Sequence, residues 1–142
     1  MIVLDTNVLS ELMRPNPSLR VIAWMRQRPR PQMSVTAITE AEIFYGVELL
    51  PLGKRRSQFL REAESMFAED FGGRTLPFDS EAARLYGKIA STRRAIGKPI
   101  SPADAQIAAI VLAHNATLAT RNIMDFEALG IELINPWEQP LR

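Results

Sequence analysis

The chain has 142 residues, 46% apolar and 23% charged, with a formal net charge of +1 at pH 7. That balance suits one folded domain over residues 1–142 and excludes a disordered tail or a chain defined by strong net charge. With no cysteine and a single histidine, His114, disulfides, thiolate sites and multi-histidine zinc centres are excluded and a histidine-centred triad is disfavoured, so any chemistry rests mainly on carboxylates.

Ile2-Val3-Leu4 is a short apolar run that ends in Asp5-Thr6-Asn7. Such a run reads as a strand buried on both faces, and Asp5 stands where open α/β sheets place their working groups. It is too short for a signal peptide, and the run from Ile107 to Ala113 is too short to span a bilayer, so a cytoplasmic protein without a membrane partner is expected. Val8 to Met13 reads as a short helix broken by Pro15 and Pro17. Leu19 to Met25 reads as a second, stopped by Pro29 and Pro31. Arg14, Arg20, Arg26, Arg28 and Arg30 fall between Leu12 and Thr39 without an acid. This band is either a surface for phosphates or a solvated helix face.

Gln32 to Thr36 reads as the second strand, and a helix follows from about Ile38 to Leu50. A charged helix runs from Lys54 to about Phe67, and Gly72-Gly73 makes a turn. Arg74 to Phe78 reads as a third strand, with Asp79 capping a helix to about Arg94. The clearest helix is Ser101 to Asn115, with Ser101 as cap, Pro102 at the first helical position and Asn115 as the stop. Thr117 to Thr120 and Ile131 to Ile134 complete five strands. Strands alternating with helices predict an α/β fold with a parallel or mostly parallel sheet wrapped on both faces.

Asp5, Glu42 and Asp104 each follow a strand or sit early in the helix after one. Parallel strands would bring all three to one edge. Crowded carboxylates repel, and a cation relieves that repulsion. Oxygen ligands without Cys or His suit Mg2+ or Mn2+, which lower the pKa of a bound water and neutralise charge on a phosphate. Metal-dependent phosphodiester hydrolysis is the reading this supports. Taken singly, each acid also reads as a helix cap, because Thr39 to Glu42 and Ser101 to Asp104 both match the capping box. Glu40 competes with Glu42; the two stand about 200° apart on a helix, so one alone can face a site. Asn122 and Asp125 offer an amide and a further acid beyond the fourth strand. His114 reads as a surface residue, and Trp24 and Trp137 as packing residues.

The segments Ile2 to Asn7, Ser34 to Thr36, Ile38 to Glu42 with Gly46, Ser101 to Asp104, and Leu118 to Asn122 with Asp125-Phe126 together resemble a PIN-domain ribonuclease. The ending Ile134-Asn135-Pro136-Trp137 resembles the branch of VapC and FitB-like toxins. The resemblance implies a PIN-like three-layer fold, with a central, mostly parallel sheet of about five strands flanked by helices. It implies that Asp5, Glu42 and Asp104 are metal-binding acids, that Thr6 belongs to the site, and that Asn122 or Asp125 stands where the family carries a fourth acid. It further implies a homodimer that pairs with a cognate antitoxin and reaches operator DNA only through that antitoxin.

The expected function is a Mg2+- or Mn2+-dependent endoribonuclease acting on RNA as the toxin of a toxin–antitoxin pair. In it Asn122 and Asp125 help hold a second ion or position the attacking water. The arginine band and Arg121 are candidates for guiding the RNA backbone. Two alternatives remain at this level: a phosphoryl-transfer domain of receiver or phosphatase type, and a non-catalytic module that binds a partner or nucleic acid. Against the phosphatase stands Asn7, where its pattern wants a second Asp.

Overall fold

In the computed structural model, which describes residues 1–140, the apolar run Ile2–Leu4 forms strand β1. Helix α1 (Thr6–Leu12) starts two residues earlier than expected because Asp5 caps it, its carboxylate accepting from the Thr6 amide. Helix α2 (Leu19–Arg26) is capped by Ser18 and precedes β2 (Met33–Thr36). Helix α3 (Ala37–Glu48) leads to α4 (Lys54–Ser65). The end of α4 widens into a π turn over Met66–Asp70, which runs into Gly72. A Cβ at Gly72 would stand 2.6 Å from the Ala68 carbonyl oxygen, so only glycine fits that approach.

Strand β3 is shorter than expected, Thr75–Leu76 alone. Pro77 has no amide to continue the ladder. Asp79 caps α5 (Ser80–Ala95), and Ser101 with Pro102 opens α6 (Pro102–Ala113). Asn115 takes the left-handed conformation, φ 49°, that stops α6 and turns the chain into β4 (Thr117–Ala119). Strand β5 (Glu132–Ile134) closes the set.

The five strands are all parallel, in the order β3-β2-β1-β4-β5. Alternation along the strands divides the core into two layers. Leu4 and Ala119 face one side, with Val8, Trp24, Ile43 and Phe67 from α1 to α4 and the turn after it. Val3 and Leu118 face the other, against Ile89 of α5 and the buried row Ile107 to Val111 of α6. From β1 the chain adds β2 and β3 on one side, then returns to add β4 and β5 on the other. The crevice beyond the carboxyl ends of β1 and β4 is therefore the switch point where such sheets take their ligands. Among the described residues no helix is long and apolar enough to cross a membrane.

Candidate active site

Leu4 pairs with Ala119, and the Asp5 amide extends that ladder to the Ala119 carbonyl at 2.9 Å. This register puts Asp5 beside Thr120, the first residue past β4. The Thr120 hydroxyl donates to Asp5 Oδ2 at 2.7 Å and accepts from the Asn122 amide at 3.1 Å. The Thr6 amide donates to Asp5 Oδ1 at 2.8 Å. Asp5 is thus held from both sides and is only 4% exposed.

A second chain of hydroxyls sets Glu42. The single proton of Thr6 goes to Glu42 Oε1 at 2.7 Å, so across the 2.9 Å contact between the Thr6 and Thr39 hydroxyls Thr39 is the donor. Thr36 in turn donates to Thr39 and accepts the Thr39 amide as the cap of α3. The cap of α3 is therefore Thr36 and not Thr39, which removes the capping role from Glu42. Glu42 faces the site and Glu40 does not, a choice the helical pattern had left open.

Asp5, Thr6, Glu42, Asp104 and Asn122 line one cavity of about 480 Å3, together with Asn7, Ser10, Glu11, Arg14, Arg121 and Trp137. Asp125 is not among its walls. It stands exposed on a 3-10 turn, Ile123–Phe126, but its charge reaches Asp104. Burial pushes the Asp5 carboxyl up to about 6, and the charges of Asp104 and Glu42 add to the rise against the hydrogen bonds from Thr120 and Thr6. Asp104 is also raised, first by burial and then by Asp125 and Glu42, while its bond with Ser101 works the other way. Ser101 caps α6 by accepting the Asp104 amide at its Oγ, and the Asp104 carboxylate reaches the cavity.

Sequence reasoning passed over Thr120, Asn7, Thr39, Glu11 and Trp137 as site residues. Thr120 carried a signal, for it follows β4 as Asp5 follows β1. The others depend on which helices pack together. The arginine band proves to be divided. Arg14 alone of the five reaches the acid cavity, Arg20 donates to the Gln139 carbonyl, and Arg26, Arg28 and Arg30 line a separate cavity of about 490 Å3 with Arg74 and Asp70. Trp24 is a core residue, and His114 is exposed at the end of α6.

The donor set of the cavity matches the chemistry of a divalent ion. It consists of oxygens alone, and two of its carboxyls are raised partly by mutual repulsion, which a cation relieves. Among the described residues no three acidic or histidine side chains close into a complete ligand group. A small hard ion that keeps several waters needs only one or two of these carboxylates directly. The residues fit.

The sequence profile of the PIN domain matches residues 2–131. The chain belongs to the PIN domain family. Among relatives of this PIN domain, a VapC ribonuclease of Sinorhizobium fredii is 43% identical over 138 residues, 97% of this chain and 99% of that protein. Toxin FitB of Neisseria gonorrhoeae is 42% identical over 137 residues, 96% and 99% of the two chains. A chain of the crystal structure of FitAcB from Neisseria gonorrhoeae superposes with a TM-score of 0.92 at 41% identity, covering 98% of this chain and all of that one. A FitAB complex bound to a DNA fragment contains a chain that superposes equally well, TM-score 0.92, with 99% of this chain covered and 98% of that one.

Proposed function

We propose that this PIN domain, read as one domain over residues 1–142, is a Mg2+- or Mn2+-dependent endoribonuclease. It acts in the cytoplasm as the toxin of a toxin–antitoxin pair. The observation that carries the nuclease reading is the single cavity at the sheet's switch point that gathers Asp5, Glu42, Asp104 and Asn122. The toxin reading is supported by the likeness to FitB and to a VapC ribonuclease over nearly the full length of each. Its partners are then RNA, a cognate antitoxin and a second copy of the chain, with operator DNA reached only through the antitoxin.

Asp5, Glu42 and Asp104 would hold the ion, directly or through water. A divalent ion bound there supplies an acidified water and neutralises charge on the phosphate. The chain's own part is positioning. Thr120 and the Thr6 amide fix both oxygens of Asp5, and the hydroxyl chain from Thr36 through Thr39 and Thr6 fixes Glu42. Asn122 on the cavity wall would serve as a fourth ligand or position the attacking water, Asp125 beyond the wall would add negative charge, and Arg121 at the rim would bring positive charge to the RNA backbone.

The test is RNA cleavage by the purified protein with Mg2+, with Mn2+ and with excess EDTA, beside an Asp5→Asn/Asp104→Asn double variant. Cutting by the wild type that needs metal and disappears in the folded variant supports the reading; equal cutting by both proteins overturns it.

A further inference from the structure

Arg121 and Trp137 share a wall of the acid cavity. The Arg121 guanidinium carbon lies over the Trp137 ring, 5.1 Å from its centroid. Trp137 is half-buried, one side packed against the core layer of α1 to α4, whereas Arg121 is exposed. A tryptophan is a costly anchor for a side chain whose task is only to carry charge to a phosphate. A planar cation laid on an indole is instead a stacking surface, since nucleobases stack on guanidinium planes as they do on aromatic rings.

The pair is registered to the acids through backbone and amide contacts. The Asn7 side chain touches Asp5 Oδ2 at 3.4 Å and the Thr120 hydroxyl at 3.3 Å through its nitrogen, and its oxygen accepts from the Arg121 amide at 3.3 Å. On the other side Asn135 donates to the Arg121 carbonyl at 3.5 Å and accepts from the Trp137 amide at 2.9 Å. Two asparagines therefore tie the cation–π pair to the loop that carries Asp5. The two cavity arginines also differ in charge balance. Arg14 is paired with the buried Glu11, which also accepts from the Ser18 amide, whereas among the described residues Arg121 has no carboxylate within ion-pair distance.

We propose that Arg121 stacked on Trp137 forms a shelf that holds a nucleobase beside the scissile phosphate of single-stranded RNA. The shelf makes Arg121 and Trp137 contributors to the choice of cleavage site. This rests on the nuclease reading and adds a subsite to it.

The experiment is fluorescence titration with mixed-sequence single-stranded RNA in the Asp104→Asn background with Mg2+, so that RNA is not consumed. A Trp24→Phe substitution in the core leaves Trp137 as the reporter. RNA is expected to quench Trp137 saturably. Measured instead by filter binding of labelled RNA, Trp137→Phe keeps the affinity within about threefold, and Trp137→Ala lowers it by on the order of 10- to 100-fold. Because Trp137 also packs, the exposed Arg121 supplies the second arm. Arg121→Lys loses nearly as much as Arg121→Ala, and in the otherwise wild-type enzyme it shifts the distribution of cleavage sites. Full binding by Arg121→Lys identifies a simple phosphate contact and overturns the shelf, as does RNA that binds without moving Trp137 fluorescence. In both of those cases the nuclease reading stands. A protein that neither binds nor cuts RNA ends both proposals.

Discussion

Asp5 is the residue on which the site's chemistry and the protein's pH dependence meet. An acid raised from 3.8 to about 6 holds its proton more tightly folded than unfolded. In metal-free protein its contribution to stability is therefore fully present below pH 3.8 and is lost as the pH rises through about 6, by up to about 3 kcal/mol. Asp5→Asn is expected to remove cleavage and yet to raise metal-free stability at pH 8 by about 1–3 kcal/mol, measured by urea denaturation. Thr120→Val removes the hydroxyl that donates to the buried carboxylate, an expected loss of about 1–3 kcal/mol together with a fall in kcat. Asn122→Asp adds a charge to the cavity wall, and tighter Mn2+ binding by calorimetry is the expected result. Unchanged affinity would take Asn122 out of the ligand set. These roles were only partly legible beforehand. Asp5, Glu42 and Asp104 stood out by their places after strands and early in helices, Thr6 was implied by family resemblance, and all four line the cavity. Asp125, the alternative to Asn122 for a fourth ligand, lies beyond the wall on an exposed 3-10 turn.

At the scale of elements, α3 couples stability to the site. Its cap, Thr36, is fully buried and also feeds the hydroxyl chain that ends on Glu42. Thr36→Val should cost about 1–2 kcal/mol in thermal unfolding and reduce cleavage as well, although Thr36 touches no substrate. A stability loss with unimpaired kcat would separate the two. Helix α6 shows what local chemistry specifies well: cap, proline and left-handed asparagine all act within a few residues, and its ends match expectation to within two residues. Strand β3 shows the reverse. Its length depends on how far Val35 and Thr36 extend as a partner and on the missing amide of Pro77, and only the first of these lies outside the segment itself.

For the whole molecule, the sheet order makes the site. β1 and β4 are more than a hundred residues apart, yet their pairing sets Thr120 on Asp5, and α1 against α3 sets Thr6 on Glu42. A divalent ion held at that junction should stabilise the entire fold. At about 100 times its Kd, Mg2+ is expected to raise Tm by roughly 5–10 °C at pH 8. The rise should shrink below the pH where Asp5 takes up its proton, and it should vanish in Asp5→Asn/Asp104→Asn; differential scanning calorimetry with and without EDTA checks this. The sequence by itself determined the strand–helix alternation, the caps of α5 and α6 and the candidate carboxylates, because these depend on contacts between near neighbours and on the chemistry of single side chains. The helical pattern left Glu40 and Glu42 open and family resemblance alone favoured Glu42; only the tertiary structure decided that Glu42 lines the cavity, that the arginine band splits between two cavities, and that Trp137 lies under Arg121 at the rim. Each of those outcomes is set by strand register and helix packing between distant segments, for which neighbouring residues carry no signal.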